Sequence, residues 1–507
     1  MSFLGKETFS GVANRLWGNK AKLSYLFVAS IFMLFGLLGG REIWTQEHRW
    51  AEIVLAMFQR QDFLHPYLEQ HRYYDKPLLS YWLIALTAKL LGSLNTLSLR
   101  LPSALAGLLS IWAIYFLGLK IKGRELGLLA AWLLLTTYYF VFWARVSSAD
   151  MLNLAGSLVA VTWYMAKRES PGFLNYATFF MIIAVTCLCK GLVGAIVPFI
   201  VVLIDISLQA SWKQHVRWSL LLALIPAAIL YFLPFWASEY FGGETYNQNG
   251  LYLVYRENIL RFFQPFDHKG PVYTYFIYLP IYLFPWSLFL IPALLSLKER
   301  WNKMSRDEKW VAWSLLFLFL FFTASGSRRS YYILPVVPFG IVFIADWILS
   351  PSTRQVSKRV TTAMIGVLTF ILLFLAIDLF PAWYYKQFGM NQFVTQLRNE
   401  AEKVKPLSQW KFVLLDAESK VNFYLQLAPD TERYGITQNK GSEQTSLAEV
   451  WPIVLNKPHN TIFISRKMHQ PFLEKYFSHY RVVTLPTFPF NLRKDEGETP
   501  IAFIPMQ

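Results

Sequence analysis

The stretch LSYLFVASIFMLFGLLGG, residues 23–40, contains no charged side chain. A helix needs about 20 mainly apolar residues to cross the hydrocarbon core of a bilayer, so this stretch predicts a membrane-spanning helix. Basic side chains precede it at Lys6, Arg15, Lys20 and Lys22. Because cytoplasmic segments carry an excess of Lys and Arg, we expect the N-terminus to lie in the cytoplasm.

The composition of the whole chain also indicates a lipid environment. Of 507 residues, 55% are hydrophobic and only 16% are charged, whereas about 25% are charged in an ordinary soluble domain. The net charge of +16 would suggest nucleic-acid binding in a soluble chain, but in a membrane protein it reflects basic cytoplasmic loops. Cys187 and Cys189 lie in one apolar run and build no disulfide framework. The composition therefore excludes a soluble enzyme and argues against nucleic-acid partners.

Ten further apolar segments follow, which makes eleven predicted spans within residues 1–384. They are residues 99–119, 125–144, 151–167, 173–189, 191–208, 217–237, 272–297, 309–323, 331–349 and 360–380. The chain is therefore predicted to be an α-helical polytopic membrane protein.

Residues 77–92 are apolar but short, and the basic loops decide how this segment is placed. If it crossed the membrane, five later basic loops would lie outside, against the usual bias. If it is an amphipathic helix in the interface, all five lie inside, and we predict this arrangement. The five loops contain Lys120 to Arg124, Lys167 with Arg168, Lys213 to Arg217, Lys298 to Lys309, and Arg354 to Arg359.

The same topology leaves five basic residues at or near the outer face, where the bias does not explain them. They are Lys76, Lys190, Arg261, Arg328 and Arg329. Basic residues at membrane depth usually pair with a carboxylate, a lipid headgroup or a substrate phosphate. A structural ion pair remains open for each one, but five on one side favour a phosphate site.

Two outer loops, residues 41–98 and 238–271, are rich in charged and aromatic side chains, as functional loops are. Residues 385–507 are less hydrophobic and contain short β-like runs such as WKFVLL and NTIFIS beside the helical pattern NQFVTQLRNEAEKV. We predict a small α/β domain outside the membrane there.

Eight motifs occur in an order that resembles the GT-C class of membrane glycosyltransferases, which use polyprenyl-phosphate sugars. The set is similar to that of the lipid A aminoarabinose transferases and the protein O-mannosyltransferases, and it covers about residues 22–350. The motifs are E-x-R-W-A-E-I at 47–53, Y-x-D-K-P at 73–77, A-R-x-x-x-A-D-M at 144–151, K-G-x-x-G at 190–194, E-N-I-x-R-F-F at 257–263, H-K-G-P at 268–271, F-P-W at 284–286 and S-x-x-S-Y-Y-I-L-P at 327–335.

This resemblance implies an inner-membrane enzyme whose active site faces outwards and whose C-terminal domain is periplasmic. It would transfer a sugar, with inversion, from a lipid monophosphate to lipid A, a glycolipid or a protein. Members of the aminoarabinose branch have about thirteen spans, so we expect between eleven and thirteen transmembrane helices, with interfacial helices in the first outer loop.

An alcohol acceptor must lose a proton as it attacks, which calls for a carboxylate base. Glu47 and Asp150 are the candidates that the resemblance indicates. Many relatives have Asp directly before the Glu, but this chain has Gln46, which cannot accept a proton. Either Glu47 or Asp150 takes the role, or the acceptor is already ionised, as a lipid A phosphate would be. A third alternative is that the chain is an inactive relative.

Cationic side chains on the phosphate oxygens would ease departure of the leaving group. Lys76 and Arg261 are the best candidates, and Lys190, Arg328, Tyr74 and Tyr332 are further predicted phosphate-binding residues. A divalent metal ion held by His48, Asp75 and Glu257 is a further hypothesis, although Glu257 could instead orient Arg261 from four residues away on a helix.

A transporter or flippase of lipid-linked sugar is the alternative function. Transporters usually show repeated halves and charges inside the spans. This chain instead keeps its charges in two outer loops, so the sequence favours the transferase.

Overall fold

The structure is a computed structural model. It describes residues 23–44, 46–68, 71–74, 76–241, 256, 260, 263, 269–350, 353–418, 420–428, 430–435, 452, 456–475, 477, 479–485 and 498–506. The sequence-based predictions for Asp75, Glu257 and Arg261 lie outside these residues.

Helices dominate the first three quarters of the chain, and most strands lie in the last quarter. In chain order the helices are α1 Leu23–Phe35, α2 Glu47–Arg60, α3 Leu79–Leu90, α4 Thr96–Lys122, α5 Arg124–Leu135, α6 Tyr138–Ala144, α7 Ala149–Lys167, α8 Phe173–Lys190, α9 Val193–Gln209, α10 Trp212–His215, α11 Trp218–Phe241, α12 Thr274–Tyr282, α13 Ser287–Leu295, α14 Leu297–Arg300, α15 Arg306–Ala324, α16 Val337–Ile348, α17 Thr353–Phe388, α18 Met390–Glu402, α19 Lys420–Leu425 and α20 Gln470–Leu473. The strands are β1 Tyr67–Leu68, β2 His71–Arg72, β3 Lys411–Leu415, β4 Glu432–Tyr434, β5 Thr461–Arg466, β6 Tyr480–Thr484 and β7 Pro500–Pro505, and a 3-10 helix spans Ser330–Val336.

The first compact unit comprises Met1–Leu38, Tyr73–Ser93 and Leu97–Ala376, and the part of it that the structure describes is mainly helical. Helix α16 is buried along its whole length, and α5 is buried from Leu126 to Leu135. Helix α11 instead exposes large apolar side chains such as Trp218 and Trp236. An apolar surface of this kind suits a helix in contact with lipid.

Among the described residues, five helical segments are long and apolar enough to cross a membrane, judged by length and composition. They are α4, α8, α11, Ser330–Ile348, and Gln355–Glu402, which includes most of α17. Two bent pairs, α5 with α6 and α12 with α13, add two more spans if each pair crosses once. Helices α1 and α9 are apolar but shorter, and α7 and α15 carry more polar residues. Each of the eleven predicted segments therefore contains helix, and the chain is a multi-pass membrane protein, while the number of crossings stays a prediction.

Residues 77–92 form the single helix α3, which has only 12 residues. At 1.5 Å per residue it is about 18 Å long, well below the thickness of the hydrocarbon core. Its length agrees with the prediction that this segment does not cross alone, while its placement in the interface stays a prediction.

Four of the five predicted basic loops meet at one end of the first unit. The acidic residues that hold them come from α9, from the first turn of α15 and from α16. The pairs are Lys122 with Glu308 and Asp346 at 2.5 and 2.7 Å, Arg168 with Asp205 and Asp307 at 3.0 and 2.8 Å, and Arg300 with Asp346 at 2.5 Å. Arg359 lies 3.8 Å from the ring centroid of Trp347. The loops therefore share one end of the helical unit, as their charge predicted.

The second compact unit comprises Gly39–Arg72, Leu94–Thr96 and Ile377–Gln507. Its main sheet has the strand order β4-β3-β5-β7-β6, with β3 parallel to both neighbours and β7 antiparallel to both of its neighbours. Apolar residues of α18, including Phe393 and Leu397, pack against one side of the sheet. The predicted C-terminal α/β domain is therefore present.

The division into units differs from the predicted boundary at residues 384 and 385 in one important respect. Residues 39–72, which we assigned to the first outer loop of the transmembrane domain, fold with the C-terminal domain. The sequence pattern could not show this, because the pairing depends on contacts between residues more than 300 positions apart.

Candidate active site

Asp150 and Lys190 form an ion pair at one end of the first unit. Lys190 Nζ lies 2.5 Å from Asp150 Oδ1, and each side chain is only 11% exposed. Asp150 occupies the first turn of α7, where Ser148 caps the helix by accepting a hydrogen bond from the backbone N–H of Asp150. Lys190 is the last residue of α8. The sequence predicted both as site residues, and the structure brings them together.

The connection between α7 and α8 explains why the two residues meet. The helices pack side by side, and residues 168–172 link them at the end where Arg168 lies. A helix of the length of α7 rises about 27 Å from its first residue to its last. The pair is therefore separated from the basic loops by about one helix length, as expected if Lys190 lies at the outer face.

The glycines of the K-G-x-x-G motif shape the turn that follows Lys190. Gly191 has φ of +111°, in the region that disfavours residues with a Cβ. At Gly194 a Cβ would lie 2.9 Å from Thr186 Cγ2 and 3.0 Å from the backbone carbonyl carbon of Thr186. The motif therefore ends α8 sharply at Lys190 and lets α9 begin against α8.

Aromatic side chains lie near Lys190. Lys190 Nζ lies 5.1 Å from the ring centroid of Tyr332, within the range of a cation–π interaction. The Tyr332 ring contacts Tyr331, and Tyr331 contacts Trp143 at a centroid distance of 4.7 Å. Trp143 Nε1 donates a hydrogen bond to Tyr282 at 3.2 Å.

Tyr332 was predicted from the sequence, whereas Trp143 and Tyr282 were missed. Trp143 directly precedes the A-R-x-x-x-A-D-M motif, which is the signal that could have found it. Tyr282 has no comparable signal, because a chain with 27 Tyr and 19 Trp places many such residues in the interface and the core.

Arg328 is tied to backbone carbonyl groups. Its Nε and Nη2 donate to Thr323 O at 3.2 and 3.0 Å, and its Nη1 donates to Gly270 O. Lys269 and Ser327 form an antiparallel bridge beside these contacts. These bonds give Arg328 a structural role, namely to hold the H-K-G-P and S-x-x-S-Y-Y-I-L-P motifs together, and its predicted contact with phosphate stays a prediction.

Tyr74 and Lys76 belong to the same unit, in the segment just before α3. Both are partly buried, and both take part in interactions within the protein. Their predicted contacts with phosphate remain predictions. Arg261, the other main candidate for the phosphate, lies outside the described residues.

Glu47 belongs to the second unit, at the start of α2. It is completely buried, and its Oε2 accepts a hydrogen bond from the backbone N–H of Trp44 at 2.7 Å. A carboxylate at a helix N-terminus is stabilised by the unpaired N–H groups there. Glu47 thus has a clear structural role, and its role as the base stays a prediction.

The metal hypothesis concerned His48, Asp75 and Glu257. His48 lies next to Glu47 in α2, while the other two fall outside the described residues. Within the part of the chain that the structure describes, no group of three or more His, Cys, Asp or Glu residues is arranged to hold a metal ion. The predicted metal site therefore remains untested.

Comparison with known proteins agrees with this fold and these motifs. Residues 75–237 match the model of the dolichyl-phosphate-mannose-protein mannosyltransferase family. The solved structure of ArnT from Cupriavidus metallidurans bound to undecaprenyl phosphate aligns with 94% of this chain and 97% of its own, with a TM-score of 0.71 and 16% sequence identity. The chain has the GT-C fold and resembles the lipid A aminoarabinose transferases.

Other proteins support the same GT-C likeness. The undecaprenyl phosphate-alpha-4-amino-4-deoxy-L-arabinose arabinosyl transferase of Shewanella sediminis is 27% identical over 71% of this chain and 66% of its own length. The enzyme of that name from Pectobacterium atrosepticum is 28% identical over 67% of this chain and 62% of its own. The archaeal oligosaccharyltransferase AglB from Archaeoglobus fulgidus, solved with an inhibitory peptide and a dolichol-phosphate, aligns with 97% of this chain and 76% of its own at a TM-score of 0.51 and 12% identity.

The matched stretch spans slightly less than two thirds of these arabinosyl transferases. The spanning helices and the GT-C likeness together support a multi-pass protein of the inner membrane.

Proposed function

We propose that this chain transfers a sugar from a polyprenyl phosphate, such as undecaprenyl phosphate, to an acceptor at the outer face of the inner membrane. The observation that carries the proposal is the Asp150–Lys190 pair beside Tyr332, far along the helices from the basic loops. An ammonium group can neutralise the departing phosphate, and a carboxylate can take the proton of an alcohol acceptor. The names of the aminoarabinose relatives support this chemistry.

The ion pair suggests how donor binding prepares the site. Among the described ion pairs, Lys190 is the cation within 4 Å of the Asp150 carboxylate. The donor phosphate is also an anion, so it competes with Asp150 for the ammonium group of Lys190. When Lys190 moves to the phosphate, the Asp150 carboxylate becomes able to accept a proton.

The transfer itself is a single displacement. The acceptor oxygen attacks the anomeric carbon from the face opposite the phosphate, and the bond from that carbon to the phosphate oxygen breaks. Both electrons of the broken bond leave with the lipid phosphate, whose charge Lys190, Lys76 and Arg261 neutralise. The configuration at the anomeric carbon is therefore inverted.

The proton of an alcohol acceptor goes to Asp150 or Glu47. A lipid A phosphate carries no such proton and needs no base. Lipid A, a glycolipid and a protein are the acceptor classes that the motif order suggests. A divalent metal held by Asp75, Glu257 and His48 would help to bind the phosphate, but no step above depends on it.

The proposal includes an orientation of the chain. The end with the basic loops faces the cytoplasm, as does the N-terminus, and the second unit with its α/β domain lies in the periplasm. The charge bias of the loops supports this orientation.

Mass spectrometry of the lipid A, glycolipid and envelope glycoprotein fractions tests the proposal. We expect a sugar increment in one fraction that disappears when the gene is deleted and does not return when an Asp150→Asn variant is supplied at the normal membrane level. If no increment is lost and lipid-linked sugar accumulates or is depleted instead, the chain is a transporter and the proposal is wrong.

A further inference from the structure

Helix α2 carries Glu47 at its start and an acidic residue, Glu52, in its buried face. The helix is amphipathic and packs against the short helix α19 of the α/β domain within the second unit. Its buried apolar residues include Ile53, Val54 and Met57. Glu52 lies among them and is only 5% exposed, so its charge must be compensated by nearby groups.

Two partners of Glu52 come from the C-terminal domain. Asn422 Nδ2 donates a hydrogen bond to Glu52 Oε1 at 2.9 Å, and Asn422 lies in α19. The guanidinium group of Arg433, in β4, approaches the same oxygen at 3.4 Å. Removal of Glu52 would leave these two polar groups without the carboxylate that they share.

Three more contacts fix the chain on either side of Glu52. Before α2, Glu42 accepts a hydrogen bond from the backbone N–H of Met390 at 2.5 Å and pairs with Lys420 at 2.9 Å. Near the end of α2, Gln59 Nε2 donates to Leu427 O at 2.6 Å.

The charge state of Lys420 agrees with this arrangement. Burial alone would lower the pKa of Lys420, but Glu42 and Glu418 outweigh burial and raise it. Lys420 therefore stays charged beside Glu42.

We propose that the C-terminal α/β domain positions the segment from Glu42 to Gln59, and that Glu52 is the positioning residue through which it holds α2. The expected effect on sugar transfer rests on the proposed function, because Glu47 is one of the two proposed bases. The positioning of α2 does not depend on that function. A displacement of about 1 Å at a reacting group can cost about 100-fold in rate. The domain thus acts on the reaction through the helix that begins with Glu47.

The test is hydrogen exchange and steady-state kinetics on the full-length protein in detergent. In a Glu52→Ala variant we expect amide protection to fall in α2 and to stay unchanged in β5 of the same domain. The kcat of transfer should fall at least tenfold, while the KM for the lipid-phosphate donor changes less than twofold. Asn422→Ala should give a weaker form of both effects.

A charge exchange provides the rescue. In the double variant Glu52→Arg, Arg433→Glu the ion pair is rebuilt with reversed signs, and Asn422 can turn its amide oxygen towards Arg, since that oxygen has no hydrogen-bond partner among the described residues. We expect both the protection of α2 and the kcat to recover. Lys457→Ala is the matched control, because it breaks an ion pair with Glu432 that lies wholly within the α/β domain.

Unchanged protection of α2 in Glu52→Ala would overturn the inference, and so would lost protection with full kcat. If the wild-type protein transfers no sugar, the proposed function fails, and the exchange data alone still decide whether the domain holds α2.

Discussion

The pair Asp150 and Lys190 is the residue-scale feature on which the proposed chemistry depends. Its two members come from the two ends of a helical hairpin, and each alone is an ordinary polar residue at a helix end. Together they form a contact between opposite charges in which a phosphate can take the place of the carboxylate. The first prediction concerns this exchange.

Replacement of Lys190 by Ala should lower the kcat of transfer by about 100-fold, the usual cost of one lost group that stabilises the departing charge. Lys190→Arg should retain part of the rate, because the positive charge remains. Steady-state kinetics with purified protein and a lipid-phosphate sugar measure both. Lys167→Ala, at the other end of α7, is the control. A Lys190→Ala variant with normal kcat would remove Lys190 from the site.

At the scale of elements, α15 joins two basic loops through its first turn. Ser305 caps the helix in a capping box with Glu308, and Glu308 also binds Lys122. Asp307 beside it binds Arg168. The start of one helix therefore connects the loops that end α4 and α7.

The ion pair of Glu308 should make stability depend on pH. Burial tends to raise the pKa of Glu308, but hydrogen bonds from Lys122 and Ser305 outweigh it and lower the pKa to about 2. Because the folded pKa lies below the ordinary value of 4.5, the stabilisation is complete above about pH 4.5 and is lost as the pH falls towards 2.

We therefore expect Glu308→Gln to lower the melting temperature in detergent by a constant amount above about pH 5. The difference from wild type should shrink progressively below about pH 4.5. Thermal unfolding between pH 3 and pH 7 measures it. A difference that is the same at pH 3 and pH 7 would show that the charge of Glu308 does not contribute.

The elements of the α/β domain show how far local pattern reaches. The runs WKFVLL, NTIFIS, YRVVTL and IAFIPM predicted strands, and the structure has β3, β5, β6 and β7 there. The three-residue strand β4 was missed, because its residues Glu432 to Tyr434 are polar or half-buried and show no apolar run. A strand of this kind is defined by its pairing with β3, whose residues are too far away in the sequence for a local pattern to show the pairing.

At the scale of the whole molecule, the proposed orientation assigns the two ends of the first unit to opposite sides of the membrane. Lys303 lies in the basic loop from Lys298 to Lys309, Asp430 lies in the α/β domain, and both are exposed. Single cysteines at these positions, in a background without Cys187 and Cys189, report the orientation.

A thiol reagent that cannot cross the inner membrane should label Asp430→Cys in cells with a permeabilised outer membrane, but it should label Lys303→Cys only after the inner membrane is broken. The reverse pattern would invert the topology and place the Asp150–Lys190 pair at the cytoplasmic face, which would contradict the proposed function. Transfer activity of each variant is the control for correct folding.

The sequence by itself determined the membrane class, the helical spans, the α/β character of the last 120 or so residues and the resemblance to GT-C enzymes. These properties follow from composition, from the length of apolar runs and from the order of motifs. Each of these can be determined from the sequence without knowing which distant residues are in contact. The tertiary structure alone decided that Asp150 contacts Lys190, that Trp143 and Tyr282 join the same cluster, and that residues 39–72 fold with the C-terminal domain. These facts depend on which helix ends meet and on contacts such as Glu52 with Asn422, which no local pattern encodes.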